Sequence, residues 1–453
     1  MSTKAVTQYL QRYAEPETAA INHWPDDNRH YQHVVVIPAY QESSEFLQRA
    51  LQSDWFQRDV LLILVVNQPD TQTDFAPQQQ LFEDAVSCGE IVWQQENLTL
   101  IAGTAKSPSF PLLQRGKSSS KDVLLLEGTP LCILSFLKKR DGGDGGDLNL
   151  AQHGDLLLIN RFNTPLPAKY GVGLARKIGT DIALALITKD IISSKWICST
   201  DADALLPDDY FSVLSEVNPE WVAACYAFEH VGGESEVQEA TLIYQQAMHY
   251  YVNGLKNAGS PYAHFTIGST LAFKATAYAN VRGFPKRAAG EDFYLLNKLI
   301  KSGKVGRIEQ TTIQLQARLS ERVPFGTGMS AANIMQLTAQ GKPFCYYHPQ
   351  TFVVLRQVLQ HFDKLWASLD DLPTWLSELP GNSGEILLQA GLTGFITKQQ
   401  RQRTTKKQFD AQLMGWFDGL KTLQFIHGLR DTIYPDVPLV PAPSMSGRTG
   451  CHL

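Results

Sequence analysis

The sequence lacks any apolar run of about 18 residues, so no segment reads as a membrane-spanning helix. Its N-terminus, from Met1-Ser2-Thr3-Lys4 onward, is polar and soon acidic, without the apolar stretch of a secretory signal. Cysteine is sparse. The six residues (Cys88, Cys132, Cys198, Cys225, Cys345 and Cys451) are scattered, and no pair has zinc or redox spacing. Most sit in apolar contexts, which predicts buried, reduced thiols and a cytoplasmic protein. Positive charge is not in excess: the net charge is -5 and the isoelectric point ≈ 6.1, which disfavours nucleic acid or an anionic membrane as the main partner. No internal repeat is present. What the chain does have is 453 residues, 43% of them hydrophobic, ample for a large core.

Apolar patterning divides the chain. Residues 1–30 read as a short helical or irregular lead. Val34-Val35-Val36-Ile37, stopped by Pro38, fits a strand buried on both faces. Ser43-Ser44-Glu45 opens an amphipathic helix through Phe46, Leu47, Ala50 and Leu51. Residues 60–66 form a second buried strand, so strand, helix and strand with short links predict a βαβ unit and a parallel sheet. Residues 71–150 are less regular, and the glycine- and charge-rich run 138–147 reads as the tip of an insertion at about 103–150. A further strand is expected at 155–160. A helix follows over 171–186, with Leu174, Ile178, Ile182 and Leu186 on one face. From about 331 the character turns helical, with a basic patch from Lys398 to Lys407 that fits a solvated helix face. The end is Pro- and Ser-rich and irregular. The expected organisation is a lead (1–30), an α/β domain (31–330) and a mainly helical C-terminal extension with a tail (331–453).

Chemistry concentrates in a few patterns. Trp196-Ile197-Cys198-Ser199-Thr200-Asp201-Ala202-Asp203 is an apolar segment ending in two aspartates one residue apart. On a strand those carboxylates share a face at its C-terminal end, where open α/β sheets bind ligands. Such a pair suits a hard divalent cation that keeps substrate phosphates in its shell; it also fits an ordinary solvated turn. Ile37-Pro38-Ala39-Tyr40-Gln41-Glu42 and Val66-Asn67-Gln68 are strands followed by polar tips. Gly173-Leu174-Ala175-Arg176-Lys177 opens a helix with a guanidinium and an ammonium in its first turns. Gly290-Glu291-Asp292 places two acids at a helix start. Arg318 to Gly328 is a basic, Gly-rich loop that fits a lid over a diphosphate as well as a plain connection.

In this order the patterns, over roughly residues 33–330, resemble the family 2 glycosyltransferases and their relatives with the GT-A fold. The resemblance implies a Rossmann-like, mostly parallel sheet flanked by helices, with the helical extension appended. It implies a metal-dependent transfer of a sugar from a nucleotide-diphosphate sugar to an acceptor hydroxyl, with inversion. Pro38, Ala39, Tyr40 and Glu42 would line the nucleotide pocket. Asn67 stands where many relatives carry a base-reading aspartate; Asn both donates and accepts, which leaves the base open. Arg176 would reach the nucleotide or diphosphate, its planar fork suiting phosphate oxygens; Lys177 replaces the usual Asn beside it. Asp203 would ligate Mg²⁺ or Mn²⁺, with Asp201 on the ribose or a metal-bound water. Asp292 would be the general base and Glu291 its orienting partner. His264 and His348 match no ligand pattern. Two other readings fit parts of the sequence: a sugar-nucleotide-forming nucleotidyltransferase, whose Gly-rich phosphate loop is missing here, and a nucleotide-sugar-binding protein without turnover. The acceptor, whether saccharide, small molecule or lipid-linked, is not named by the sequence, nor is the oligomeric state.

Overall fold

The computed structural model describes residues 4–56, 59–103, 154–320 and 326–439. The predicted insertion, apart from Gly103, and the C-terminal tail beyond Leu439 lie outside them. The strands are β1 (His33–Ala39), β2 (Val60–Pro69), β3 (Gly89–Gln95), β4 (Leu98–Gly103), β5 (Asp155–Leu166), β6 (Trp196–Ser199), β7 (Ala204–Leu205), β8 (Trp221–Val231), β9 (Leu271–Lys274) and β10 (Lys304–Gln316). They form one sheet in the order β3-β4-β5-β2-β1-β6-β9-β8-β10-β7, and Cys345–Tyr346 and Val437–Pro438 pair in a separate two-stranded ribbon. Its middle, β5-β2-β1-β6, is parallel, as is the β8–β10 pair. Only β4, β9 and β7 run against the rest. The sheet is mixed, with most strands in one direction.

The helices through the α/β part are α1 (Lys4–Arg12), α2 (Glu45–Leu51), α3 (Ala76–Val86), α4 (Gly171–Thr188), α5 (Ser235–Ala258), α6 (Ala275–Asn280) and α7 (Glu291–Ser302). The C-terminal region adds α8 (Thr327–Ala339), α9 (Pro349–Leu365), α10 (Leu372–Ser377), α11 (Ser383–Gln389), α12 (Leu392–Gln402), α13 (Lys406–Trp416) and α14 (Gly419–Thr432). Alternation along the strands builds the two faces. Val34 and Val36 of β1 with Leu61, Ile63 and Val65 of β2 meet Ile178, Ile182 and Leu186 of α4. Val35, Ile37, Leu62 and Leu64 face the other way, onto Leu47 of α2 and Leu81 of α3. The C-terminal helices form their own apolar cluster around Leu355, Phe409 and Phe425, joined by Leu255 of α5. The basic stretch at 398–407 is mostly exposed on helix faces, in keeping with solvated charge. Cys88, Cys198 and Cys225 are buried free thiols, and Cys345 is exposed.

The N-terminal lead is part of the core. Val6, Tyr9, Ala20 and Ile21 are buried in it. The link is polar: fully buried Asp181 of α4 accepts from Tyr9 Oη (2.6 Å), Tyr278 Oη (2.8 Å), the Glu15 amide (2.9 Å) and Lys177 Nζ (2.8 Å). Burial pushes both phenols' pKa up, so they stay protonated and donate. Replacing Asp181 by Leu strands the Lys177 ammonium in the interior. The expected loss is about 3–5 kcal/mol, read as a lowered urea midpoint. A Lys177→Met/Asp181→Leu double variant should recover part of it. A single variant as stable as the parent would remove Asp181 as the anchor of the lead.

Candidate active site

The sheet opens at its C-terminal edge into a cavity of ≈ 1380 Å³. Ligand pockets typically span about 300–1,000 Å³, so this one has room for two substrates together. Pro38, Tyr40, Glu42 and Asn67 line it, as do Arg176, Asp201, Asp203, Glu291 and Asp292. Thus β1, β2, α4, the β6–β7 turn and α7 bring nearly all of the expected residues to one space.

Local structure explains each placement. β6 stops at Ser199, so Asp201 and Asp203 lie in the turn beyond it, closed by the Ala204 amide donating to the Asp201 carbonyl (3.1 Å). Strand alternation therefore does not orient them; the turn does. Both still face the cavity. The Gln316 amide of β10 donates to the Asp203 carbonyl (3.3 Å), which fixes the far side of the turn.

Arg176 is 3% exposed. Its Nε donates to Glu291 Oε1 (2.8 Å), Nη1 to Ser199 Oγ (2.9 Å) and the Thr200 carbonyl (3.2 Å), and Nη2 to Asp201 Oδ1 (2.5 Å). Four of the five guanidinium N–H donors thus serve the protein itself. These contacts hold Arg176 between Asp201 and Glu291, at the wall of the cavity. Gly268 makes room for it: a Cβ there would collide with Nη2.

Arg318, just past β10, donates to both Glu42 oxygens (3.1 and 2.8 Å) and pairs with Asp203 Oδ2 (2.8 Å). The acids of the site are therefore shared between two guanidiniums. In the Gly-rich loop Arg318 to Gly328, residues 321–325 lie outside the described chain, while Arg318, Leu319, Ser320 and Gly326 line the cavity.

α7 starts at Glu291 after Gly290, whose φ of 71° suits glycine. Asp292 Oδ1 accepts from the Phe293 amide (2.7 Å). Burial, then the neighbouring Glu291 carboxylate, push the Asp292 carboxyl up to about 7, and Arg176 partly opposes them.

Asn67 is buried. Its Nδ2 donates to the Ala39 (3.1 Å) and Val65 (3.3 Å) carbonyls, the orientation set by those two acceptors. Asn67 also lines the cavity.

Two expected residues do not join the cavity. Ala39 packs its methyl into the core between the sheet and α2. Lys177 turns to the opposite side, to Asp181 and Tyr9. Consecutive helix residues are about 100° apart, so Arg176 and Lys177 cannot both face the site. The histidines that matched no ligand pattern are placed elsewhere: His348 caps α9 by accepting the Gln350 amide (3.1 Å), and His264 lines a side hollow. Arg318 as a partner of Asp203 was not legible in sequence, because that contact depends on β7 pairing with β10. Leu420 and Leu423 of α14 also reach the cavity from more than 120 residues downstream of Asp292, without any local signal.

No protein-family model matches the chain, and no curated protein matches it in sequence. Among solved structures, the chain is similar to S. aureus TarS in complex with UDP-GlcNAc, at 9% identity over 88% of this chain and 91% of that one, with a TM-score of 0.34. It is also similar to the mannosyltransferase PcManGT from Pyrobaculum calidifontis in complex with GDP-Man and Mn²⁺, at 15% identity, 92% and 94% coverage and a TM-score of 0.33. Likeness of this size leaves the chemistry to be argued from the site itself.

The charge arrangement can be checked directly. The Asp292 carboxyl carbon, followed by NMR, should titrate near pH 7. Glu291→Gln removes a like charge and should move that titration down; Arg176→Met removes the opposing cation and should move it up. Titration near 4 in the parent would refute the coupling.

Proposed function

We propose that the chain is a glycosyltransferase of GT-A type, related to family 2, that moves a sugar from a nucleotide-diphosphate sugar to an acceptor hydroxyl with inversion. The observation that carries this reading is Asp292. Its carboxyl is poised near neutrality, in a cavity large enough for donor and acceptor, across the Arg176 guanidinium from Asp201.

The donor's nucleotide would lie at the tips of β1 and β2, against Pro38, Tyr40, Glu42 and Asn67. With its amide donors taken by backbone, Asn67 offers only an acceptor, as an aspartate would. That favours a base with a ring N–H, such as uracil or guanine. Asp203, with Asp201 in the same turn, would hold Mg²⁺ or Mn²⁺, which when bound supplies charge neutralisation for the departing diphosphate. The donor chemistry fits. Among the described residues no cluster of three or more His, Cys, Asp or Glu side chains forms a complete cage, and a hard cation of this kind uses one or two carboxylates plus phosphate and water oxygens. Arg318 now compensates the charge of Asp203 and Glu42.

Asp292 removes the proton of the acceptor hydroxyl as that oxygen attacks the anomeric carbon. The bond to the diphosphate breaks on the opposite face, and the nucleoside diphosphate leaves with the electron pair. Glu291, held by Arg176, keeps the start of α7 in place and raises the basicity of Asp292.

A base must be ionised to act. Activity should therefore rise with pH through about 7 in kcat/KM, and Glu291→Gln should shift that limb to lower pH. Asp292→Asn should lose roughly 10²–10⁴-fold in transfer while calorimetry still detects nucleotide binding. Asp203→Ala should remove the Mn²⁺-dependent part of nucleotide diphosphate affinity. A panel of nucleoside diphosphates, with and without Mn²⁺, is the primary test: if none binds, the proposal fails.

A further inference from the structure

A second hollow of ≈ 180 Å³ opens beside the main cavity, and Tyr244, Thr266 and Phe293 line both. It lies between α5, the 262–267 segment, α7 and the first residue of α14. Its volume equals that of roughly six waters at about 30 Å³ each, on the scale of one monosaccharide ring. None of its lining residues is Asp, Glu, Lys or Arg. Aromatic faces dominate, from Tyr244, Tyr251, Tyr262, Phe293 and Tyr346. Polar tips are interspersed. The Tyr251 hydroxyl has no hydrogen-bond partner among the described residues. His264 is held neutral, burial pushing its pKa down to about 4 against the opposing influence of the Pro261 backbone. A neutral imidazole donating from one nitrogen accepts at the other.

We infer that this hollow seats an uncharged saccharide ring of the acceptor, its faces against the aromatic side chains and its hydroxyls at Tyr251 and His264. A purely apolar ligand would leave those polar groups desolvated and unpaired, which opposes its binding. A phosphorylated or acidic sugar would bring a charge to a lining without Lys or Arg, the Arg307 guanidinium being stacked on the Phe265 ring rather than part of that lining. Phe293 follows Asp292 directly and begins the shared wall, so a ring seated there presents a hydroxyl toward the base. This last step rests on the glycosyltransferase reading; the binding itself does not.

Saturation-transfer NMR on the full chain separates the two. The probes are methyl glycosides of neutral monosaccharides, with matched uronates and sugar phosphates. Neutral sugars should bind, and the charged ones at least tenfold more weakly. Tyr251→Phe keeps the shape and should weaken binding several-fold; Met248→Trp fills the hollow and should abolish it. Binding should persist when UDP or GDP saturates the main cavity. Equal binding of charged sugars, no binding of any sugar, unchanged binding in both variants, or displacement by nucleotide would each overturn the inference. Failure of every nucleoside diphosphate to bind would instead overturn the glycosyltransferase reading, while saccharide binding in the hollow would stand.

Discussion

A guanidinium with 3% of its surface exposed is the constraint on which the site depends. Desolvating a cation costs several kcal/mol unless its donors are met by well-placed acceptors, preferably anionic ones. Arg176 meets that condition only if four separate pieces of chain converge: the end of β6, the turn at Asp201, the start of α7 at Glu291, and the bare backbone of Gly268. The interaction therefore sets the spacing between the turn carrying Asp203 and the helix carrying Asp292. Asp292 has no direct pair with the guanidinium, and burial, then the Glu291 carboxylate, push its carboxyl up. A structural ion network and a tuned acid are thus one arrangement.

Helix geometry explains how α4 serves two masters. Arg176 and Lys177 are adjacent, and the helical rotation sends one to the cavity and the other to the N-terminal lead. Asp181, one turn beyond Lys177, completes the second network with Tyr9, Tyr278 and the Glu15 amide. The lead clamps α4 from outside while the sheet holds it from within. Movement of α4 would have to break both sets of buried polar contacts, so Arg176 is held from its back as well as its front.

Much of this was written in the sequence in local form. Unbroken apolar runs at 33–38 and 60–66 and the 3.6-residue stripe of α4 gave the central parallel strands and their covering helix. Asp201, Asp203, Glu291 and Asp292 were visible because strand ends and helix starts are marked by short-range patterns. Long-range pairings were not visible. The partner of Asp203, Arg318, arrives through β10 lying beside β7. β6 is short, and its end at Ser199 rather than Asp201 depends on its pairing with β9, which begins at Leu271. Lys177 was drawn into the site by adjacency to Arg176, an argument that chain proximity supports and helix rotation defeats. The lead at 1–30 looked separable because the groups that anchor it lie far along the chain, Asp181 being 166 residues from Glu15.

The join between the α/β part and the C-terminal helices gives the cavity its second half. Asp418 caps α14 by accepting the Leu420 and Lys421 amides (both 3.1 Å), and its other oxygen takes Asn297 Nδ2 (3.1 Å) and Lys301 Nζ (2.5 Å) of α7. Burial opposes the charge, but Lys301 and the helix amides outweigh it and hold the carboxyl below its usual range. One carboxylate therefore ties the helix that begins with Asp292 to the helix that brings Leu420 and Leu423 to the cavity wall. Asn297 Oδ1 adds the Gly419 amide (2.9 Å) to the same joint. The cavity wall formed by Leu420 and Leu423 and the helix that begins at Glu291 and Asp292 are consequently fixed to one another.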